Sequence, residues 1–202
     1  MCGFVGIVGR GDVAAAVSMA LQALQHRGQD SAGIFTRDED RFLSHRAMGL
    51  VRDGFDNNVV AGLTGGTAIG HVRYPTLGSV SLDDAQPFFY RRPGVFMAHN
   101  GNITNYHALR RELALQSVQV LSTCDVEPML LVFSEALMDR RKADHTLDDV
   151  IHALRTTLET VKGAYTFAVA VRADGKDTLV AVRDPRGIRP GVWGHRDGIF
   201  VA

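Results

Sequence analysis

The chain has 202 residues, 46% of them hydrophobic, and its 22 Lys and Arg balance 22 Asp and Glu. That size and apolar share suit one domain with a proper core, and the charge balance gives no electrostatic ground for a nucleic acid or anionic membrane partner. Two cysteines, far apart in the chain, argue against a disulfide scaffold and for a reducing cytoplasm.

The chain opens Met1-Cys2-Gly3. Methionine before a small residue is usually removed, which would leave Cys2 with both a thiol and an α-amino group. Both groups titrate close to neutral pH, so one residue could supply nucleophile and base together. The plainer reading is a small apolar residue opening a buried strand. A short strand over Gly3 to Gly9 contains the first apolar run, Phe4 to Val8, which is too short and lacks the basic lead of a signal peptide. Nothing in the chain approaches the ~18 apolar residues of a membrane span, so a soluble, cytoplasmic protein is expected.

Asp12 is placed to cap a helix from Val13 to Leu24. The polar run His26-Arg27-Gly28-Gln29-Asp30-Ser31 ends it, and strands are predicted at Ala32–Thr36, Arg41–Ala47 and Gly65–Tyr74, the last leading into a loop from Pro75 to Pro87. Val95–His99 reads as a short strand running into Asn100-Gly101-Asn102. Helices follow, one capped by Thr104 and ending near Leu115, one opened by Asp125 and reaching Met138, and one capped by Thr146 with apolar residues at helical spacing. Strands are predicted again at Tyr165–Val171, Thr178–Arg183, Val192–Gly194 and Ile199–Ala202, with Gly175 as a hairpin turn. Strands at both ends around a helical middle imply antiparallel sheets with helices outside, an α+β class, and not a doubly wound parallel sheet.

Four polar clusters fall at ends of these elements. Besides Cys2, they are His71-Val72-Arg73-Tyr74-Pro75-Thr76, His99-Asn100-Gly101-Asn102 and Ser122-Thr123-Cys124-Asp125. Arg73 is a fixed cation able to grip a carboxylate through two parallel bonds, or is a surface ion pair. The Asn100 amide and the Gly101 N–H make a sensible oxyanion hole, although Asn-Gly read alone is more often a tight turn. Asp125 is an N-cap by position and could also receive an ammonium group. A carboxylate and a guanidinium across one pocket would recognise both charged ends of an amino acid. The eight histidines fit no metal-ligand spacing, and no metal or cofactor is expected.

Cys2-Gly3-Phe4-Val5-Gly6, His26-Arg27-Gly28-Gln29-Asp30-Ser31-Ala32-Gly33, Gly70-His71-Val72-Arg73-Tyr74-Pro75-Thr76 and His99-Asn100-Gly101-Asn102-Ile103-Thr104-Asn105 together resemble the class II glutamine amidotransferases, which are N-terminal nucleophile hydrolases. The resemblance runs from Cys2 to the last residue. With Arg183-Asp184-Pro185-Arg186-Gly187-Ile188-Arg189-Pro190, it is nearest to the purine-synthesis branch, in which this domain precedes a phosphoribosyltransferase domain. It implies a four-layer αββα sandwich over residues 1–202, with Cys2 as nucleophile and its α-amino group as base. Asn100 and Gly101 would form the oxyanion hole, Arg73 would bind the glutamine α-carboxylate and Asp125 the α-ammonium, and Thr76, Arg27 and Gly28 would line the same pocket. Ammonia released from glutamine would pass to a phosphoribosyltransferase domain or subunit, absent from these residues, in a full-length protein expected to be a homo-oligomer. The acidic pairs Asp83-Asp84 and Asp148-Asp149 lack the Gly-Thr sequel of that domain's pyrophosphate loop. Cys124 stands where the family usually has serine, and it is expected to stay reduced. A free-standing glutaminase for another acceptor, a non-catalytic glutamine-binding module and an amidase for a different substrate are the alternatives.

Overall fold

The computed structural model describes residues 2–74 and 81–202. Alternation along Gly3–Val8 (β1) sets the layering: Val5 and Ile7 point to a helix layer, and Phe4 and Gly6 point to a second sheet. β1 lies inside a six-stranded sheet with Ser31–Asp38 (β2), Arg41–Met48 (β3), Thr67–Arg73 (β4) and a terminal hairpin, Gly194–Arg196 (β9) and Ile199–Val201 (β10). The order is β3-β2-β4-β1-β10-β9. Its outer face is covered by Ala14–Ala23 (α1) and two short helices, Val51–Gly54 (α2) and Asn57–Gly62 (α3). Val17 and Leu21 of α1 approach so closely that a Cβ on Gly70 would lie 2.4 Å from Val17 Cγ1.

The second sheet runs β5-β6-β7-β8, from Phe88–Tyr90 (β5), Val95–Ile103 (β6), Gly163–Ala173 (β7) and Lys176–Arg183 (β8). Tyr106–Leu115 (α4), Val126–Met138 (α5) and Leu147–Thr160 (α6) lie on its outer side, where Met129, Leu130 and Phe133 pack against Met97, Phe167 and Val169. Between the sheets, Phe35, Ile69, Phe96, Ala98, Ala168 and Ala170 close the interior, with Phe35 stacked 4.9 Å from Phe89. The strand pairings are antiparallel throughout. The four-layer αββα expectation therefore holds.

Several local expectations are corrected. Asp12 does not cap α1; its carboxylate accepts the Gly65 N–H at 2.7 Å, tying the helix entry to the turn before β4. Thr104 does not cap α4, because its hydroxyl is spent on the Lys162 carbonyl and Asn105 takes the cap position. Thr146 does cap α6, in a reciprocal capping box with Asp149. The Asn100-Gly101 turn does not form: both residues are inside β6, opposite Thr166 and Tyr165 of β7. The helices α2 and α3 and the strand β5 had no counterpart in the sequence reading. Part of the Pro75 to Pro87 loop lies outside the described residues, and Leu82–Asp84 forms a single 3-10 turn.

Candidate active site

The β1–β4 register places Gly3 opposite Val72, so Cys2 stands opposite Arg73 at the open end of the sheet. Cys2 has the parity of Phe4 and turns towards the space between the sheets. Its Sγ lies 3.4 Å from the Tyr74 carbonyl oxygen and 3.5 Å from the Tyr74 N–H nitrogen. Burial pushes the thiol above its ordinary pKa. The Tyr74 backbone contact, the chain's terminal amine and Arg73 pull it down, and Asp125 pushes it up.

The segment after α1 secures this corner. Arg27 donates from Nε to the Cys2 carbonyl at 3.0 Å, and the Asp30 N–H reaches the Arg73 carbonyl at 3.1 Å. A Cβ on Gly28 would sit 2.6 Å from the Arg73 carbonyl carbon, so only glycine permits this approach. Arg73 itself is buried, with Nη2 3.8 Å from Asp84 Oδ2. It is not the surface ion pair that a lone arginine usually makes. Asp84 also accepts the Thr123 N–H and hydroxyl at 2.8 and 2.6 Å, which links the Arg73 corner to the loop before α5. Thr76, the remaining pocket residue expected from the sequence, lies outside the described residues.

On the facing sheet, Asn100 shares its parity with Phe96 and Ala98 and therefore turns into the same space as Cys2. Beyond Phe88 the strand β5 has ended, and β6 continues with a bare edge. The His99 N–H on that edge is taken by Gln86 Oε1 at 2.8 Å, and the Ile103 N–H by Asp125 Oδ2 at 2.9 Å. The Gly101 N–H points along the same edge between them, as alternation requires. A side chain at Gly101 is excluded, since its Cβ would lie 2.5 Å from the Ala164 carbonyl oxygen and from Tyr165 Cβ.

Asp125 occupies the N-cap position of α5, but its carboxylate makes no cap bond to that helix. It crosses instead to β6, with Oδ1 3.3 Å from His99 Nε2. Burial works to raise its pKa; the facing His99 ring and the N–H groups of Ile103 and of Asp125 itself outweigh this, and the carboxyl stays below its ordinary value. Cys124 is buried, its thiol pushed up to about 12 chiefly by burial, and both cysteines are unbridged. Gln86, His99 and Asp84 were not picked out by sequence reasoning as site residues with a task. A glutamine or a histidine in a polar run carries no periodic signal; only the neighbouring chain fixes what it touches.

Among the described residues no group of three His, Cys, Asp or Glu side chains is placed to hold a metal ion. Two surface depressions, of about 610 Å³ over Arg110 and Arg111 and about 730 Å³ beside Arg46 and Phe88, are not lined by Cys2.

Two antiparallel sheets stacked between helices, with a thiol at the leading end of an inner strand, define the architecture of the N-terminal nucleophile hydrolases. Residues 73–202 match the glutamine amidotransferase domain model, and the chain belongs to that family. It is 43% identical over 200 residues to the amidophosphoribosyltransferase of Escherichia coli and 42% over 198 residues to that of Pseudomonas aeruginosa, covering 98% and 97% of this chain. It spans 39% of the length of either relative. The glutamine phosphoribosylpyrophosphate amidotransferase of Bacillus subtilis superimposes over the whole chain with a TM-score of 0.81 at 29% identity, through 41% of its own length. A protein described as a glutamine aminotransferase class-II domain protein, from Silicibacter pomeroyi, 14% identical with a TM-score of 0.60, shares the fold.

Proposed function

We propose that the domain is a glutaminase that opens the side-chain amide of glutamine and delivers ammonia to a phosphoribosyltransferase domain or subunit, the pairing that the names of its relatives describe, in purine synthesis. The observation that carries this reading is the register that sets Cys2 opposite the buried Arg73, with the Asp125 carboxylate anchored on the Ile103 N–H along the Gly101 edge of the facing sheet. A substrate with a carboxylate and an ammonium at one end and an amide at the other matches that arrangement.

In this scheme removal of Met1 leaves the Cys2 α-amino group to take the thiol proton. The thiolate attacks the amide carbon, and the developing oxyanion is held by the Asn100 side chain and the Gly101 N–H. The amine then passes its proton to the departing nitrogen, ammonia leaves, and water cleaves the γ-glutamyl thioester. Arg73 holds the α-carboxylate and Asp125 the α-ammonium. Arg27 and Gly28 act on the protein side, by fixing the Cys2 and Arg73 main chain. The scheme requires no cofactor in this domain.

Ammonia release from glutamine by the purified protein tests the reading. Cys2→Ala is expected to abolish turnover with the fold retained. Asn100→Ala should lower kcat by roughly 10²–10³ with little change in KM, as the loss of an oxyanion donor does. Arg73→Lys should mainly raise KM. Turnover surviving in Cys2→Ala, or a wild-type protein that binds but never hydrolyses glutamine, would overturn it; the second result would favour a non-catalytic glutamine-binding module.

A further inference from the structure

We propose that Gln86 and His99 are positioning residues that hold the Asp125 carboxylate ready for the substrate's α-ammonium group; this rests on the glutaminase reading. The Gln86 amide has one possible orientation. Its Oε1 accepts the His99 main-chain N–H at 2.8 Å, and that group can only donate, so the other terminus is the NH2. The NH2 uses its two protons on His99 Nδ1 at 3.2 Å and on Cys124 Sγ at 3.6 Å. His99 Nδ1 lies closer to this NH2 than to Oε1, 3.2 against 3.5 Å, and so accepts, which puts the ring proton on Nε2.

Nε2 is the nitrogen that faces Asp125 Oδ1, with both side chains buried. The Ile103 N–H holds the second oxygen at 2.9 Å, so the carboxylate is anchored through Oδ2. Oδ1 lies 3.3 Å from Nε2 in a close polar contact that falls short of hydrogen-bond geometry and tightens when the ring proton is on Nε2. A buried ring donor completes this grip only in the tautomer that Gln86 selects. His71 supports the same arrangement from the other sheet, donating from Nε2 to the His99 carbonyl oxygen at 3.2 Å. A carboxylate fixed in this way meets an ammonium group without first reorienting.

The test compares glutamine with 4-carbamoylbutyrate, which keeps the amide and the carboxylate but lacks the α-amino group. In the full-length protein, Gln86→Leu and His99→Leu are expected to raise KM for glutamine about tenfold, the effect of losing one hydrogen bond to a charged group. KM for 4-carbamoylbutyrate should be unmoved. Adding Asp125→Asn to either variant should weaken glutamine no further than Asp125→Asn alone. Equal weakening for both substrates would reduce the pair to a structural role and overturn the proposal. Nitrogen NMR of the His99 ring provides a readout without turnover: a proton on Nε2 supports the assignment, and one on Nδ1 overturns it. A wild-type protein that hydrolyses neither compound would instead remove the glutaminase reading, leaving the ring measurement to decide the tautomer.

Discussion

Cys2 and Cys124 share a chemistry but differ in every circumstance that governs reactivity. Cys2 is part-buried at a sheet end, while Cys124 is 2% exposed with its thiol pushed up to about 12. Iodoacetamide is therefore expected to alkylate Cys2 in the native protein and Cys124 only after unfolding, as peptide mass mapping would show. Because burial also raises the Cys2 thiol, its alkylation rate should keep climbing as pH passes the ordinary thiol range. Gly101 gives a second expectation at this scale. Its missing side chain is required by Tyr165 and Ala164 across the ladder, so Gly101→Ala should destabilise the domain by about 1–3 kcal/mol in denaturant titration. Cys2 could be singled out from sequence because its place directly after Met1, where it could carry a free α-amino group, is itself the signal. The Asn-Gly pair could not be resolved alone, since a strand and a turn use the same two residues and only the β7 partner decides between them.

At the scale of elements, the caps show where local signals prevail. Thr146 caps α6 as expected because its partner, Asp149, lies in the first turn of the same amphipathic helix and closes the box with it. Asp12 and Thr104 have the same chemistry, but Gly65 and Lys162 claim them from other parts of the chain. Asp149 has further ties, to Lys142 and Arg140 as well as the Thr146 main chain, and these hold its carboxyl well below the usual carboxylate range. A depressed carboxylate contributes stability above its unfolded value near 4, and that contribution is lost as pH falls through the folded value. Asp149→Asn should accordingly lower the melting temperature at neutral pH and leave a smaller difference from wild type in strong acid. The strand β5 was not legible because three residues are too few to show alternation, although its early end is what exposes the β6 edge to Gln86.

For the whole molecule, the class of fold followed from the order of strands and helices, because strands grouped at both ends without regular strand–helix alternation favour antiparallel sheets over a doubly wound parallel one. The stacking of the two sheets came only through the family resemblance, and the insertion of β1 between β4 and β10 was not legible, since it depends on pairings between the two ends of the chain. His71 is the titratable group most enclosed by that stacking. Burial above all, with the neighbouring His99 ring and Arg73, lowers its pKa to about 3, while its bond to the His99 carbonyl opposes the shift. The unfolded chain then binds a proton near pH 6.5 that the folded protein refuses, so stability is full above that value and declines as pH falls towards 3. Urea midpoints measured between pH 7 and 4 should fall with acidity, and more gently in His71→Asn. An equal slope in the variant would show that other groups carry the acid sensitivity.

The pairing of Gly3 with Val72 has an implication for any attempt to rebuild this corner. Neighbouring residues on a pleated ribbon look in opposite directions. An extra amino acid inserted after Cys2 would swing the sulfur towards the α1 side, away from Asn100, while leaving every hydrogen-bonded pair from Gly3 onward untouched. Such a protein would melt like the parent and do no chemistry, so the spacing of the first few residues acts as a ruler.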